Sequence, residues 1–186
     1  MAQAIIRMYD GRMVDVLNLQ PEDVRPHNFI HSICNLNRYT GHLPFPISVG
    51  LHSLRMAERV PPHLRQAALI HDWSEACFND IASPIKATLG NYKKHEKAAG
   101  RVIFDAMHVP YELLAEIKQY DVKIRQDERI ATWGYENWKS DKWTHDGDAQ
   151  PIGITFVEQH WRDVRAEYTD YFVRYFPEQD LITWRT

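Results

Sequence analysis

A short apolar run that ends in a histidine and an aspartate constrains the fold of this chain more than any other feature. Residues 67–70 read Ala-Ala-Leu-Ile and are apolar on every face, which predicts a buried helix. His71 and Asp72 follow directly, and Glu75 lies about one turn further on. A buried carboxylate is strongly destabilising unless it is paired with a cation or bound to a metal. The fold must therefore place a compensating charge beside this helix.

The pair itself indicates a metal site. Adjacent residues on a helix point about 100° apart, so His71 and Asp72 can both reach one ion in a groove beside the helix. Glu75 is positioned to contact a water at the metal rather than the metal itself. The alternative is an acid cluster at a helix end, with His71 hydrogen-bonded in the core. The apolar run before the pair favours the metal.

Such a metal needs further ligands, and two residues are candidates. His52 lies among apolar neighbours, and Gly50 beside it permits the close approach of another backbone. Asp121 lies in a helical stretch with Glu128 seven residues later on the same face. Taken alone, Asp121 fits better as a solvent-facing acid paired with a neighbouring cation, either Lys118 or Arg125.

A second His-Asp pair occurs later in the chain. His145 and Asp146 lie in the polar stretch Trp-Thr-His-Asp-Gly-Asp of residues 143–148, with no apolar helical run before them. We predict a surface loop there, with a smaller chance of a secondary ion contact.

Size and charge narrow the classes of function. The 186 residues predict one domain spanning 1–186, and a net charge of −3 with a pI of about 6.4 argues against a broad basic surface for nucleic acid. No apolar stretch is long enough to span a bilayer, and the first residues lack a signal-peptide core. Two cysteines, Cys34 and Cys77, are too few for a disulfide scaffold. We expect a cytoplasmic protein without a membrane or stable nucleic-acid partner.

Turn and cap residues predict the secondary structure. Asp10-Gly11 between two extended runs predicts a β-hairpin over residues 5–16. Asn28 and Ser48 are predicted helix caps. The helix that Ser48 caps is predicted to end near Arg59, and a third helix is predicted over residues 64–78. Helical periodicity then recurs after Pro84, with breaks at Gly90 and Pro110, and over residues 111–132 and 155–175.

The predicted fold class is all-α with a short N-terminal β-hairpin. The last helix carries an apolar stripe at steps of three and four that begins at Val157 and ends at Tyr175. Residues 133–153 are predicted to be irregular. Their aromatic residues indicate either a subunit contact or a loop pinned over the core; these are Trp133, Tyr135, Trp138 and Trp143.

The candidate ligands occur in the order of a known signature. His52, His71, Asp72 and Asp121 resemble the H…HD…D pattern of the HD-domain phosphohydrolases. The likeness is greater to the YfbR-type 5′-deoxynucleotidases and especially to the phage dATP triphosphohydrolases (DatZ-like). The segments that carry it are Asn-Arg-Tyr-Thr-Gly-His at 37–42, Ile-Ser-Val-Gly-Leu-His-Ser at 47–53, Leu-Ile-His-Asp-Trp-Ser-Glu-Ala at 69–76, Asp-Ile-Ala-Ser-Pro-Ile-Lys at 80–86, Tyr-Asp at 120–121 and Glu-Arg at 128–129.

The resemblance implies an HD-domain helical fold and a role for each matching residue. The four signature residues would hold a divalent transition metal, and two imidazoles with two carboxylates suit Zn²⁺, Co²⁺, Mn²⁺, iron or nickel. Mg²⁺ could accompany the substrate phosphates. Glu75 would be the acid/base for the attacking water, and Asp80 would order the site and assist catalysis. The implied substrate-binding residues are Arg38 and Lys86 for phosphate, with Tyr39 and Pro84 beside the nucleoside.

The resemblance also implies an activity. We expect hydrolysis of dATP at the α-phosphate to deoxyadenosine and triphosphate, because the Arg-Tyr-x-Gly-His loop and the compact length resemble the phage enzymes. The alternative is a 5′-deoxynucleotidase that acts on deoxynucleoside monophosphates with the same metal site. A third possibility is a non-catalytic nucleotide-binding or assembly module, against which the presence of every ligand-type residue argues. The resemblance further implies a homo-oligomer and, for a phage-encoded chain, the host cytoplasm.

Overall fold

The computed structural model describes residues 3–140 and 146–179, with only the backbone of residue 140. These residues form a mostly helical fold that begins with a two-stranded antiparallel sheet, so the predicted fold class is confirmed. Within these ranges no helix is both long and apolar enough to cross a membrane. The helices are α1 (Pro26–Asn35), α2 (Val49–Arg59), α3 (Arg65–Ile70), α4 (Glu75–Phe78), α5 (Ser83–Lys86), α6 (Tyr92–Ala106), α7 (Leu113–Trp133), α8 (Tyr135–Ser140) and α9 (Trp161–Tyr175).

The predicted hairpin is present. Strand β1 (Ile5–Arg7) pairs with β2 (Met13–Asp15), with Ile6 opposite the buried Val14. Gly11 has φ +85°, a conformation that costs glycine little, and this permits the tight turn. The hairpin therefore follows from local turn chemistry, as the Asp-Gly pair predicts.

One predicted helix cap is confirmed and the other is wrong. The Ser48 hydroxyl accepts a hydrogen bond from the backbone N–H of Leu51 at 3.1 Å and begins α2. Helix α1 begins at Pro26, whose fixed φ suits a first helical position, so Asn28 lies inside the helix. The Asn28 side chain instead accepts from the backbone N–H of Asp10 at 2.9 Å and ties the hairpin turn to α1.

The helix predicted over residues 64–78 is divided in two. Helix α3 ends at Ile70, and the chain continues through tighter turns in which the N–H of Trp73 donates to the carbonyl of Ile70, and that of Glu75 to Asp72. Helix α4 then begins at Glu75. The side chains of the His-Asp pair therefore project from a turn rather than from a regular helix.

The C-terminal part corrects two further predictions. The segment predicted to be irregular contains the end of α7 and all of α8, whereas its described residues 146–153 have neither helix nor strand, as predicted. The last helix begins at Trp161 rather than near residue 155, because the His160 side chain caps it and the Asp127 carboxylate accepts from the backbone N–H groups of Ile152 and Gly153. Val157 precedes the helix and is exposed, so the apolar stripe begins later than predicted.

The core holds the turn that carries the His-Asp pair. Trp73 is fully buried, and its ring stacks on Phe29 of α1 and Phe172 of α9 at centroid distances of 5.3 and 5.5 Å. Its indole N–H donates to the Tyr168 hydroxyl at 2.9 Å, and that hydroxyl donates to the carbonyl of Leu69. Fixing Trp73 from several sides also fixes the backbone of Asp72 beside it.

Candidate metal centre

Two histidines and one aspartate from separate elements meet at one point. His52 comes from α2, and His71 and Asp72 come from the turn after α3. One potential ligand atom from each residue lies within 4.8 Å of the others. The Asp72 Oδ2 atom is 3.0 Å from His71 Nε2 and 4.0 Å from His52 Nε2. The predicted His-Asp pair and His52 are therefore neighbours in the fold.

The imidazole of His52 is oriented by a buried acid on α7. Its Nδ1 atom lies 2.7 Å from Glu128 Oε1, and both side chains are fully buried. Glu128 also accepts from the Tyr39 hydroxyl at 2.8 Å and pairs with Arg38 at 3.2 Å. Because a carboxylate accepts the Nδ1 proton, the Nε2 lone pair faces the centre.

His71 has the same arrangement with a different partner. Its Nδ1 atom lies 2.8 Å from the carbonyl oxygen of Ala68, which can only accept a hydrogen bond. Among the described residues, the buried Nε2 atoms of His52 and His71 make no well-aligned hydrogen bond, although Asp121 Oδ1 and Asp72 Oδ2 lie 3.4 and 3.0 Å from them. Two buried nitrogens that face carboxylates without a well-aligned hydrogen bond, while the other ring nitrogen is held by an outer acceptor, fit metal ligands.

Asp121 faces the centre with one oxygen and pairs with neighbouring cations through the other. It is buried rather than solvent-facing, yet its Oδ2 atom accepts from Lys118 at 2.7 Å and from Arg125 at 2.9 Å. Its Oδ1 atom lies 3.4 Å from His52 Nε2. One oxygen thus anchors the carboxylate and the other faces the centre, which suits a fourth ligand.

The charges of the centre favour ionised aspartates. Burial alone would raise the pKa of Asp72, but His71 reverses this and the net pKa lies below the usual range. Burial likewise opposes the ionisation of Asp121, yet His52 and Arg125 hold its pKa well below the usual value. Both carboxyls are therefore ionised at neutral pH, as metal ligands must be.

The two residues expected to be catalytic have the opposite shift. Burial and the charges of Asp72 and Asp80 raise the pKa of Glu75 well above its usual value. Burial also raises the pKa of Asp80, although Arg38 opposes this. Glu75 Oε2 is buried and lacks a hydrogen-bond partner within the described ranges, while Oε1 lies 3.5 Å from Lys86.

A cavity of about 740 Å³ opens above the centre. It is lined by every residue that the resemblance assigns to catalysis or substrate, namely Arg38, Tyr39, Glu75, Asp80, Pro84 and Lys86. The two cations that the resemblance assigns to phosphate are paired with acids: Arg38 lies 3.6 Å from Asp72, and Lys86 lies 2.6 Å from Glu96. A ligand in the cavity therefore meets cations whose positions are set by neighbouring acids.

The prediction of a surface loop at the second His-Asp pair is wrong for Asp146. That residue is buried and lines the same cavity, because it pairs with Arg125 at 2.7 Å and with Arg129 at 2.5 Å. His145 lies outside the described residues. No local pattern around residue 146 predicts its burial, since both partners are on α7.

Three further residues of α7 belong to the surroundings of the site. Glu128 was placed on the Asp121 face but not assigned to His52, and Arg129 and Trp133 continue along the same helix into the cavity. Glu128 is seven and Arg129 eight residues after Asp121, and Trp133 is four residues after Arg129; these steps place residues on one side of a helix and are the signal that could have identified them.

Two aromatic residues of the segment that begins at Trp133 contact neighbouring parts of the fold. The Trp133 ring packs edge-on against Tyr39 at 5.5 Å, and the Trp138 indole N–H donates to the Gln126 side chain at 3.0 Å. Tyr135 is exposed. Trp143 lies outside the described residues.

Comparisons with known proteins do not assign an activity. No family model matches the chain. The chain is similar to the uncharacterized protein YfdR of Escherichia coli (strain K12), with 28% identity over 126 residues, which are 68% of this chain and 71% of that protein. It is also similar to an uncharacterized protein of Rhodobacter capsulatus, with 33% identity over 99 residues, which are 48% of this chain and 50% of that protein.

Proposed function

We propose that this chain is a metal-dependent phosphohydrolase that acts on nucleotides. The observation that carries the proposal is the convergence of the buried Nε2 atoms of His52 and His71, neither of which makes a well-aligned hydrogen bond, on Asp72 and Asp121, two ionised aspartates that line a cavity. Arg38 and Lys86 in the same cavity supply the positive charge that a phosphate ester requires.

A metal held by His52, His71, Asp72 and Asp121 would polarise the α-phosphate and lower the pKa of water near it. Glu75 accepts the proton that the attacking water loses. Burial and the charges of Asp72 and Asp80 raise its pKa, and a carboxylate with a raised pKa is a stronger base. The nearby charge of Asp80 contributes to the raised pKa of Glu75 and so strengthens Glu75 as a proton acceptor.

The phosphate chain would lie against Arg38 and Lys86, and the nucleoside against Tyr39 and Pro84. The Tyr39 hydroxyl donates to Glu128, and the rings of Tyr39 and Trp133 make a T-shaped contact. Tyr39 also lines the cavity, where its ring could stack on a base. The choice of dATP and of triphosphate release rests on the resemblance of the Arg-Tyr-x-Gly-His loop to that of the phage enzymes.

A 5′-deoxynucleotidase is the second candidate, and the ion pairs of the cavity favour it. Arg38 is paired with Glu128 and Lys86 with Glu96, so each cation is partly neutralised. A monophosphate carries less charge than a triphosphate and requires less compensation.

Chromatography of the products distinguishes the candidates. We expect the protein loaded with Zn²⁺, Co²⁺ or Mn²⁺ to release triphosphate from dATP, whereas orthophosphate from dAMP would support the nucleotidase. Two variants test the site itself. Asp72→Ala should abolish turnover, and the control Asp148→Asn, which changes an exposed acid, should leave turnover unchanged. Binding of both nucleotides without turnover would instead support a non-catalytic module. Undiminished turnover in Asp72→Ala would exclude the proposed site.

A further inference from the structure

Asp146 lies at the centre of a buried ion-pair network beside the metal centre. Its side chain is only 3% exposed, and its Oδ1 atom accepts from Arg125 at 2.7 Å. Its Oδ2 atom accepts from Gln126 at 3.2 Å and pairs with Arg129 at 2.5 Å. The carboxylate thus uses both oxygens to hold three side chains of α7.

Arg125 connects this network to the candidate ligand Asp121. Its Nη2 atom donates to Asp146, and its Nη1 atom donates to Asp121 Oδ2 at 2.9 Å. A guanidinium is planar, so holding one end of the fork sets the direction of the other. The position of Asp146 therefore influences which oxygen of Asp121 is anchored and which faces His52.

Lys118 is a weaker anchor for the same oxygen. It lies 2.7 Å from Asp121 Oδ2, but its side chain is 63% exposed, whereas that of Arg125 is 18% exposed. A solvated lysine on a flexible chain fixes an orientation less well than an arginine held at both ends.

Removing the Asp146 charge would release this arrangement. Arg125 and Arg129 would then face each other without the carboxylate between them, and Arg125 would be free to engage both oxygens of Asp121. An arginine bound to both oxygens would compete with a metal for the oxygen that faces His52.

We propose that Asp146 is a positioning residue that, through Arg125, keeps one oxygen of the Asp121 carboxylate available to a metal. The proposal rests on the metal centre of the proposed function, but it concerns metal affinity rather than hydrolysis. Outer residues that orient metal ligands commonly change metal affinity by about 10- to 100-fold when they are replaced.

The test is the affinity of the whole chain for Zn²⁺, measured by competition with a chelating dye and without nucleotide. Asp146→Asn keeps the size of the side chain and should weaken Zn²⁺ binding by about tenfold or more. Asp148→Asn removes an exposed acid two residues away and should leave the affinity unchanged. Equal Zn²⁺ affinity in Asp146→Asn and the wild type would overturn the proposal.

A double-mutant cycle tests the route through Arg125. Arg125→Gln alone should weaken Zn²⁺ binding, and Asp146→Asn added to it should cause little further loss, because the connecting residue is gone. Full additivity would contradict the route. If Asp146→Asn lowers the melting temperature of the metal-free protein while Zn²⁺ affinity stays the same, its role is structural and the proposal is wrong.

Failure of this proposal and failure of the proposed function give different results. A wild-type chain that binds Zn²⁺ but hydrolyses no nucleotide would refute the proposed hydrolysis, and the double-mutant cycle on Zn²⁺ affinity would still test the role of Asp146. A chain that hydrolyses nucleotides, with Zn²⁺ affinity insensitive to Asp146, would refute only the positioning role.

Discussion

At the residue scale, the two ring nitrogens of His52 contact different groups. Its Nδ1 atom is bound by Glu128, and its Nε2 atom faces Asp72 and Asp121. Burial and Arg38 lower the pKa of His52, but Glu128 and Asp121 outweigh them and the net pKa is raised. The surroundings therefore favour a positive charge beside Nε2, which a proton or a metal can supply.

Glu128→Gln tests this arrangement. The substitution keeps the shape but removes the charge that binds His52 Nδ1 and pairs with Arg38. We expect Zn²⁺ affinity to fall by about 10- to 100-fold, because an outer carboxylate raises the basicity of a histidine ligand. Dye competition measures the effect. Glu112→Gln, at an exposed position before α7, is the control, and an unchanged affinity in Glu128→Gln would contradict the assignment.

At the element scale, the site depends on how closely α2 approaches α1. Gly50 is the contact point, since a Cβ atom there would lie 2.6 Å from Cys34 Sγ and 3.1 Å from Cys34 Cα. This confirms the expectation that Gly50 permits another backbone to approach. Because His52 is two residues further on α2, the same contact sets the depth of the histidine in the fold.

Gly50→Ala should therefore destabilise the chain, by about 1–3 kcal/mol, even though alanine favours a helix. Chemical denaturation measures the free energy of unfolding. Gly100→Ala on α6 is a matched control, because the nearest atom to a Cβ there is Tyr111 Cε2 at an ordinary 3.7 Å. That control should be neutral or stabilising by up to about 1 kcal/mol. Equal effects at both glycines would mean that the close approach is unimportant.

At the scale of the whole molecule, the centre joins parts of the chain that are distant in sequence. His52 lies on α2, the His71-Asp72 pair lies in the turn after α3, and Asp121 lies on α7. Buried acids and imidazoles meet here, and among the described residues the Nε2 atoms of both histidines make no well-aligned hydrogen bond. An ion bound by all of them should stabilise the entire fold rather than one helix.

Zn²⁺ should accordingly raise the melting temperature, and a chelator should reverse the rise. At a free concentration 100 times the dissociation constant, the stabilisation is about 2.7 kcal/mol, which corresponds to roughly 5–11 °C for a chain of this size. Differential scanning fluorimetry measures the shift. His71→Ala should lose it, whereas His63→Ala, at an exposed histidine, should retain it. A wild-type chain without any shift would argue against a metal centre.

The sequence by itself determined the features that depend on neighbouring residues. Asp10-Gly11 specified the hairpin turn, and Ser48 specified the start of α2. The apolar run before His71-Asp72 indicated that this part of the chain is buried. Sequence suffices for these features because backbone preference and periodicity act over a few residues. The grouping of His52 with the pair was inferred from residue type and family resemblance, and the fold brings these residues together.

Only the tertiary structure decided which groups complete the site. Glu128 is far from His52 in sequence, and Asp146 becomes buried only when the chain returns to α7, so neither partner follows from a local pattern. Likewise, the break after α3 occurs where Trp73 packs into the core. Helix α9 begins at Trp161, later than predicted, because Asp127 binds the backbone before it. These features depend on packing between distant segments, which residue spacing alone does not specify.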